Sequence, residues 1–175
     1  QRVADFLVES DIDVVLLQET KCKDEQFPLE VFDAIGYEVF HWGINQWNGV
    51  AVVSRLGVSE GEPGFAGMPG FDKNGGAPQL EARAVSATVA GYRLWSVYVP
   101  NGRSLGDPHM DYKLSWLRAW GQAVADWSTQ HPGHGVIVGG DFNVAPLPSD
   151  VGDPSFVEGI STHVSAEERS TLAEP

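Results

Sequence analysis

Gly135-Val136-Ile137-Val138-Gly139-Gly140-Asp141-Phe142-Asn143-Val144-Ala145-Pro146 is the stretch on which the reading of this chain turns. A short apolar run, the pattern of a strand buried in a sheet, ends in a carboxylate and, two residues on, a carboxamide. Pro146 then stops regular structure. Side chains at i and i+2 of an extended chain point to the same side, so Asp141 and Asn143 are expected to converge on one ligand. An Asp beyond a strand is also an ordinary turn former. The pair alone therefore leaves both readings open.

Two further strand ends carry polar groups in the same way. Asp13-Val14-Val15-Leu16-Leu17-Gln18 is a nearly continuous apolar run and reads as a strand buried on both faces. Glu19 follows it directly, with Thr20 and Lys21. A carboxylate there suits Mg²⁺, which takes one or two carboxylates and keeps several waters; a capping or solvent-facing Glu is the plainer alternative. The second end is Tyr98-Val99-Pro100-Asn101-Gly102-Arg103. A phenol, an amide and a guanidinium on a Pro/Gly turn can all address a phosphate oxygen, and an ordinary strand-exit turn has the same composition. For all three ends to be bland at once is a larger coincidence than for any one of them.

Working outward, residues 2–10 read as an amphipathic helix on Val3, Phe6 and Leu7. Phe27, Val31 and Ile35 with Gly36 as a stop give a helix over 26–35. Residues 37–42 and 49–54 are β-rich, and 57–78 are dense in Gly and Pro and read as a long loop. Residues 80–89 and 92–99 flank Ala90-Gly91, a hairpin signal. The longest helix covers 109–129, with Leu114, Leu117, Val124 and Trp127 on one side. Its tryptophans read as core at helical spacing, and Lys113 and Arg118 as solvated charges. Ser165-Ala166-Glu167-Glu168 is a capping box that starts a last helix. Helix, strand, helix, four strands, helix, strand predicts an α/β sandwich with mixed sheets and no Gly-rich dinucleotide or phosphate loop.

Composition bounds the function. The 175 residues suit a single domain over 1–175, and 42% hydrophobic residues with 6 Trp and 8 Phe allow a sizeable core. No apolar run approaches a membrane span, so no membrane partner is expected. Cys22 is the only cysteine, which excludes an intrachain disulfide and favours a reducing, cytoplasmic compartment. The net charge of −13 argues against holding nucleic acid by charge alone. It leaves room for a protein that clusters its few cations or works through a metal. The five histidines lack zinc spacing. Both ends of the chain read as cut.

At these segments the chain resembles the exonuclease III family of apurinic/apyrimidinic endonucleases, within the endonuclease/exonuclease/phosphatase superfamily. The matching residues are Leu17-Gln18-Glu19-Thr20-Lys21, Gly49-Val50-Ala51-Val52-Val53-Ser54-Arg55, Tyr98-Val99-Pro100-Asn101-Gly102 and Gly140-Asp141-Phe142-Asn143-Val144-Ala145-Pro146. The region from Ser161 to Arg169 resembles the family's helix start beyond the catalytic aspartate. The resemblance implies a four-layer α/β sandwich, with two mostly antiparallel mixed sheets face to face and helices outside. It implies Mg²⁺- or Mn²⁺-dependent cleavage of double-stranded DNA beside abasic sites, with 3′→5′ exonuclease and 3′-phosphatase activity, by a monomer.

Carried over residue by residue, the resemblance makes Glu19 the metal ligand, supported by Lys21. It places Tyr98 near the phosphate, Asp141 on the attacking water and Asn143 on the scissile phosphate. Asn101 falls, more loosely, to a phosphate- or DNA-contacting position. Apart from the resemblance, a metal and a local Arg103/Lys113 patch at the substrate are expected to offset the acidic net charge. The family's opening-strand Asn and its later Asp and Asp-His pair have no counterpart here. His163 reads only as a helix-start residue, and the 175 residues by themselves are expected to be catalytically impaired. Two alternatives stand beside this reading: a phosphodiesterase for lipid or inositol phosphates, or a module that only binds DNA or a partner.

Overall fold

A computed structural model describes residues 2–72, 75–153 and 155–173. The chain forms two compact units. The first comprises Gln1–Gly64, Ala82–Tyr98 and Gly133–Asp141, and the second Phe65–Glu81, Val99–Pro132 and Phe142–Pro175.

The first unit holds two sheets. One has the order β1-β3-β2, all antiparallel, from β1 (Val14–Gln18), β2 (Glu38–Trp42) and β3 (Val50–Ser54). The other has the order β4-β5-β6-β7, from β4 (Ser59–Pro63), β5 (Ala84–Val89), β6 (Tyr92–Tyr98) and β7 (Gly135–Asp141), with β7 parallel to β6 and the other pairs antiparallel. The centre of the unit is β3, buried along its whole length. Alternation along the strand divides its side chains between two cores. Val50 and Val52 pack with Val85, Ala87, Val89 and Leu94 of the facing sheet. Ala51 and Val53 pack under Leu7 of helix α1 (Arg2–Glu9) and Phe32 of helix α2 (Leu29–Asp33). Within this unit helices, sheet and sheet thus form three successive layers of the expected four, with the two mostly antiparallel sheets face to face and helices outside one of them.

Several local expectations change. In α1 Ala4 and Leu7 are buried, whereas Val3 and Phe6 are exposed. The β1 strand is only half-buried, because it sits at the sheet's edge. The helix expected over 26–35 shrinks to α2. Pro28 pushes Phe27 into an extended conformation (ψ 130°), so a separate 3₁₀ turn at Asp24–Gln26 ends before it. The supposed loop at 57–78 contains β4, an exposed edge strand with no apolar alternation to announce it. The Ala90-Gly91 hairpin is present, with positive φ at both residues (49° and 83°), as a type I′ turn requires.

The second unit is built on helix α3 (Pro108–Gln130), capped by Asp107, and helix α4 (Ala166–Ala173). Ser165 and Glu168 form the expected capping box. Leu114, Leu117 and Trp116 are buried, while Val124 and Trp127 are only partly so. Trp116 meets Phe65 edge-on, and Trp120 meets Phe142. Lys113 is not a solvated charge: it is fully buried against Glu168. No helix among the described residues is long and apolar enough to cross a membrane.

Candidate active site

At one end of the first unit's two sheets, the exits of β1, β6 and β7 bring three polar side chains together. Tyr98 is paired in register with Asp141, so both project from the sheet face that carries Leu94 and Ser96. The Tyr98 hydroxyl donates to Glu19 Oε1 at 2.8 Å, and Lys21 Nζ lies 2.6 Å from Glu19 Oε2. These bonds, from Lys21 first and Tyr98 second, hold the Glu19 carboxyl below the usual carboxylate range. Burial, then the Glu19 bond and charge, push the Tyr98 phenol up to about 12. At neutral pH the pair is therefore a neutral phenol donating to a carboxylate whose side chain stays 42% exposed. The Arg83 guanidinium lies 4.9 Å from the Tyr98 ring centre and donates to the Tyr98 carbonyl, which anchors the phenol from its other side.

Both ends are shaped by backbone constraints. Gly140 has φ 151°, and a Cβ there would lie 1.9 Å from the Val97 carbonyl oxygen, so only glycine lets β7 deliver Asp141 beside Tyr98. Glu19 and Lys21 both take positive φ, 53° and 54°. Their turn is tied down by Thr20 N to Gly49 O and Lys21 N to Asn48 O. Beneath it, the Thr20 hydroxyl donates to His41 Nε2, and His41 Nδ1 donates to Asp24 Oδ1, each at 2.8 Å. Burial pushes the His41 imidazole down, against the pull of Asp24, and Phe27 stacks on it at 4.2 Å.

The chain leaves the first unit after Tyr98 and after Asp141, so residues 99–102 and 142–146 belong to the second. Extended alternation stops at Asp141, and Asn143 takes φ 51°, so the i, i+2 argument does not carry across Phe142. The Asn143 amide instead donates to Val99 O (2.9 Å), and its Oδ1 accepts from Asn101 Nδ2 at 3.4 Å. Lys113 Nζ donates to Asn143 O at 2.5 Å, and His163 Nδ1 donates to the same carbonyl. Arg103 follows as an exposed residue at φ 59°, its N–H bonded to Asn101 Oδ1.

A model of the endonuclease/exonuclease/phosphatase family matches residues 1–161. The chain belongs to that family. It is 30% identical over 151 residues to the exodeoxyribonuclease of Bacillus subtilis, a match that covers 85% of this chain and 54% of that protein. The 3′-5′ exonuclease NExo of Neisseria meningitidis superposes with a TM-score of 0.84 at 30% identity, over 98% of this chain and 63% of that one. An AP endonuclease from Archaeoglobus fulgidus superposes at 0.78, with 28% identity over 98% and 62%. The family's exonuclease III branch, read from the motifs, is thus the one its relatives occupy. The chain spans about half to two-thirds of the length of these relatives.

Within the family pattern, reading the sequence singled out Glu19, Tyr98 and Asp141 in the first unit and Asn101 and Asn143 in the second, and each group is gathered by direct contact or register. It placed Lys113 at the surface and missed Arg83, the Thr20–His41–Asp24 support and His163. The only trace of His163 in the sequence is its place directly before the capping-box helix.

Proposed function

We propose that this chain carries the hydrolytic residues of a metal-dependent DNA-repair nuclease, which cleaves phosphodiesters at abasic sites and at 3′ ends of double-stranded DNA. The carrying observation is the ionised, partly exposed Glu19 carboxylate, fixed by Tyr98 at a strand end beside Asp141, in a chain whose relatives include an exodeoxyribonuclease and an AP endonuclease. The donors there are hard carboxylate oxygens. No group of three or more His, Cys, Asp or Glu among the described residues is arranged as a metal cage. That donor set fits Mg²⁺ or Mn²⁺, which keep much of their water shell, with Glu19 as the protein ligand. When bound, the ion supplies positive charge and Lewis acidity at the phosphate.

The chain's own groups do the positioning. Tyr98 stays a neutral donor and fixes the Glu19 carboxylate. Asp141 accepts a proton from the attacking water. Asn143 and Asn101 present carboxamide N–H groups to phosphate oxygens, and Arg103 pairs with the DNA backbone. Lys113 acts through Asn143, since its ammonium is interior. With a net charge of −13, affinity for DNA rests on these local groups and on the cation, and falls as salt rises. The lone Cys22 agrees with a reducing cytoplasm, where the protein acts as a monomer.

The test is Mg²⁺-dependent incision of abasic duplex DNA and phosphate release from 3′-phosphate ends by the full-length protein. Glu19→Gln and Asp141→Asn are each expected to lower turnover by at least about 100-fold, with unfolding midpoints close to wild type. Wild-type turnover in either variant refutes the assignment.

A further inference from the structure

Thr20 stands between Glu19 and Lys21, and both neighbours take left-handed backbone, φ 53° and 54°. Neither Glu nor Lys favours that region, because a Cβ crowds the following carbonyl there. The turn opposite is no stiffer. Asn48 and Gly49, whose carbonyls accept the Lys21 and Thr20 N–H groups at 2.9 and 3.2 Å, have φ 58° and 89°. Backbone bonds between two such turns let both relax together. The Thr20 side chain is what ties them to the rest of the unit.

While the Glu19 and Lys21 heads pair at 2.6 Å, the Thr20 hydroxyl is enclosed: a Cβ at Gly49 would lie 2.1 Å from it. It donates to His41 Nε2 at 2.8 Å. A carboxylate can only accept, so the His41 proton sits on Nδ1, 2.8 Å from Asp24 Oδ1, and Nε2 is left as the acceptor that the hydroxyl requires. The Gly43 N–H donates to the same Asp24 oxygen at 2.7 Å, and the Asp24 N–H donates to Gly43 O at 3.1 Å. A Cβ at Gly43 would come within 2.6 Å of His41 Cε1. Glycines at 43 and 49 thus make room for the ring and for the hydroxyl it holds.

His41 lies opposite Ala51 of β3, and its side chain, only 4% exposed, enters the core under the helices. Phe27 stacks on the imidazole at 4.2 Å, and Phe32 stacks on Phe27 at 5.5 Å. The ring cannot turn without displacing them. A core histidine is ordinarily satisfied by its surroundings and does nothing more. Here its second nitrogen is committed to the one residue between the carboxylate and the ammonium.

We propose that the Thr20–His41–Asp24 relay is a positioning device for Glu19: it pins Thr20 to the core, holds the Glu19–Lys21 turn in its left-handed form, and so sets the affinity of the site for Mg²⁺ or Mn²⁺. None of the three touches metal or substrate in this role. The proposal rests on the reading of Glu19 as the metal ligand. A turn that is relaxed about nine-tenths of the time raises the apparent dissociation constant about tenfold, which is also the lower end of what losing a group behind a metal ligand costs.

The experiment is binding of Mn²⁺ alone to the full-length protein without DNA, with free Mn²⁺ followed by electron paramagnetic resonance. Amide exchange at Thr20 and Lys21 in the metal-free protein is measured beside it. Thr20→Val keeps the side-chain shape and removes the hydroxyl, His41→Phe keeps a ring on Phe27 and removes both bonds, and Thr20→Ser keeps the hydroxyl. Urea unfolding shows that each variant is folded in the assay, and lost stability alone leaves the affinity of folded molecules unchanged. Thr20→Val and His41→Phe are each expected to weaken Mn²⁺ binding about tenfold and to speed both amides by a similar factor. The double variant is expected to lose about the same tenfold, since a relay has one link to Glu19. Thr20→Ser stays within about twofold of wild type. Wild-type affinity in Thr20→Val and His41→Phe, with binding lost in Glu19→Gln, overturns the relay alone. So does a Thr20→Ser protein as weak as Thr20→Val, or a double variant that loses the product of the single losses. Wild-type affinity in Glu19→Gln refutes the ligand reading, and the relay's hold on the turn is then judged by exchange: unchanged rates in the variants overturn it.

Discussion

Replacing Lys113 by Met tests the interior of the second unit and its link to the site. Both members of the Lys113–Glu168 pair have fully buried side chains. Besides Lys113, the Glu168 carboxylate accepts from Thr162 Oγ1 (3.1 Å), His163 N (2.9 Å), Ser165 N (3.0 Å) and Ser165 Oγ (2.7 Å). Burial works to raise this carboxyl, but the Lys113, Ser165 and His163 donors outweigh it and keep it below the usual carboxylate range. Lys113→Met keeps most of the side-chain volume and removes the charge, leaving a buried carboxylate unneutralised. Breaking such a pair typically costs about 3–5 kcal/mol. Four neutral donors remain, so the expected loss is near the lower end, about 3 kcal/mol.

The double variant Lys113→Met/Glu168→Gln buries no charge and is expected to recover at least about 2 kcal/mol of the summed single losses, a coupling that a double-mutant cycle isolates. Urea unfolding followed by tryptophan fluorescence supplies the numbers, with Trp116 and Trp120 reporting on the same unit. The pH dependence has a fixed sign. Glu168 has a lowered folded pKa, so its contribution is present above its unfolded value near 4.5 and is lost as pH falls below it. Glu168→Gln lacks that acid-labile part. A Lys113→Met protein within about 1 kcal/mol of wild type, or strict additivity in the cycle, refutes the reasoning.

Tyr98→Phe removes one neutral donor from Glu19 and leaves the ring under Arg83. Turnover at saturating Mg²⁺ is expected to fall roughly 10–100-fold with stability changed by less than about 1 kcal/mol, and kinetics beside urea unfolding check both. Gly140→Ala sets a methyl group 1.9 Å from the Val97 carbonyl oxygen at φ 151°. It is expected to cost about 3 kcal/mol, or to detach the end of β7 and with it Asp141, which urea unfolding and amide exchange along β6 and β7 would report.

The parts of this fold legible in the sequence are those where one local rule dominates. The run 50–54 is apolar on both faces because β3 lies between two cores, and Ala90-Gly91 suits a turn with positive φ at both residues. The gathering of Glu19, Tyr98 and Asp141 was legible because each stands at a strand end with a polar side chain. What escaped depends on tertiary context. The β4 segment, Ser59-Glu60-Gly61-Glu62-Pro63, pairs through its backbone at an edge and needs no apolar face. Lys113 looks like any surface lysine until Glu168, 55 residues on, is brought against it. The phenol at Tyr98 shows in the sequence, but its resistance to ionisation does not, because that comes from burial and from Glu19, 79 residues away.

Glu19, Lys21, Arg103, Asn143 and His163 all take left-handed backbone. Of these, only Asn visits that region readily, so each of the others stores strain that surrounding bonds must hold. The bonds are present in every case for which a geometry is described. Asn48 and Gly49 hold the Glu19–Lys21 turn, Asn101 Oδ1 holds the N–H of Arg103, and Glu168 and Ala145 hold His163. Asn48, Glu60 and Ala90 take the same region, so left-handed backbone marks turns and irregular edges of this fold in general. A turn can place a charged or titratable side chain at a fixed point and still reverse the chain, but for a residue with a Cβ this conformation carries a steric cost. The identity of Glu, Lys, Arg or His carries no information about the sign of φ, so this strain is invisible in the sequence. At Glu19 and Lys21 it falls on two side chains that pair at 2.6 Å, so that turn fixes the carboxylate and the ammonium against each other while it reverses the chain.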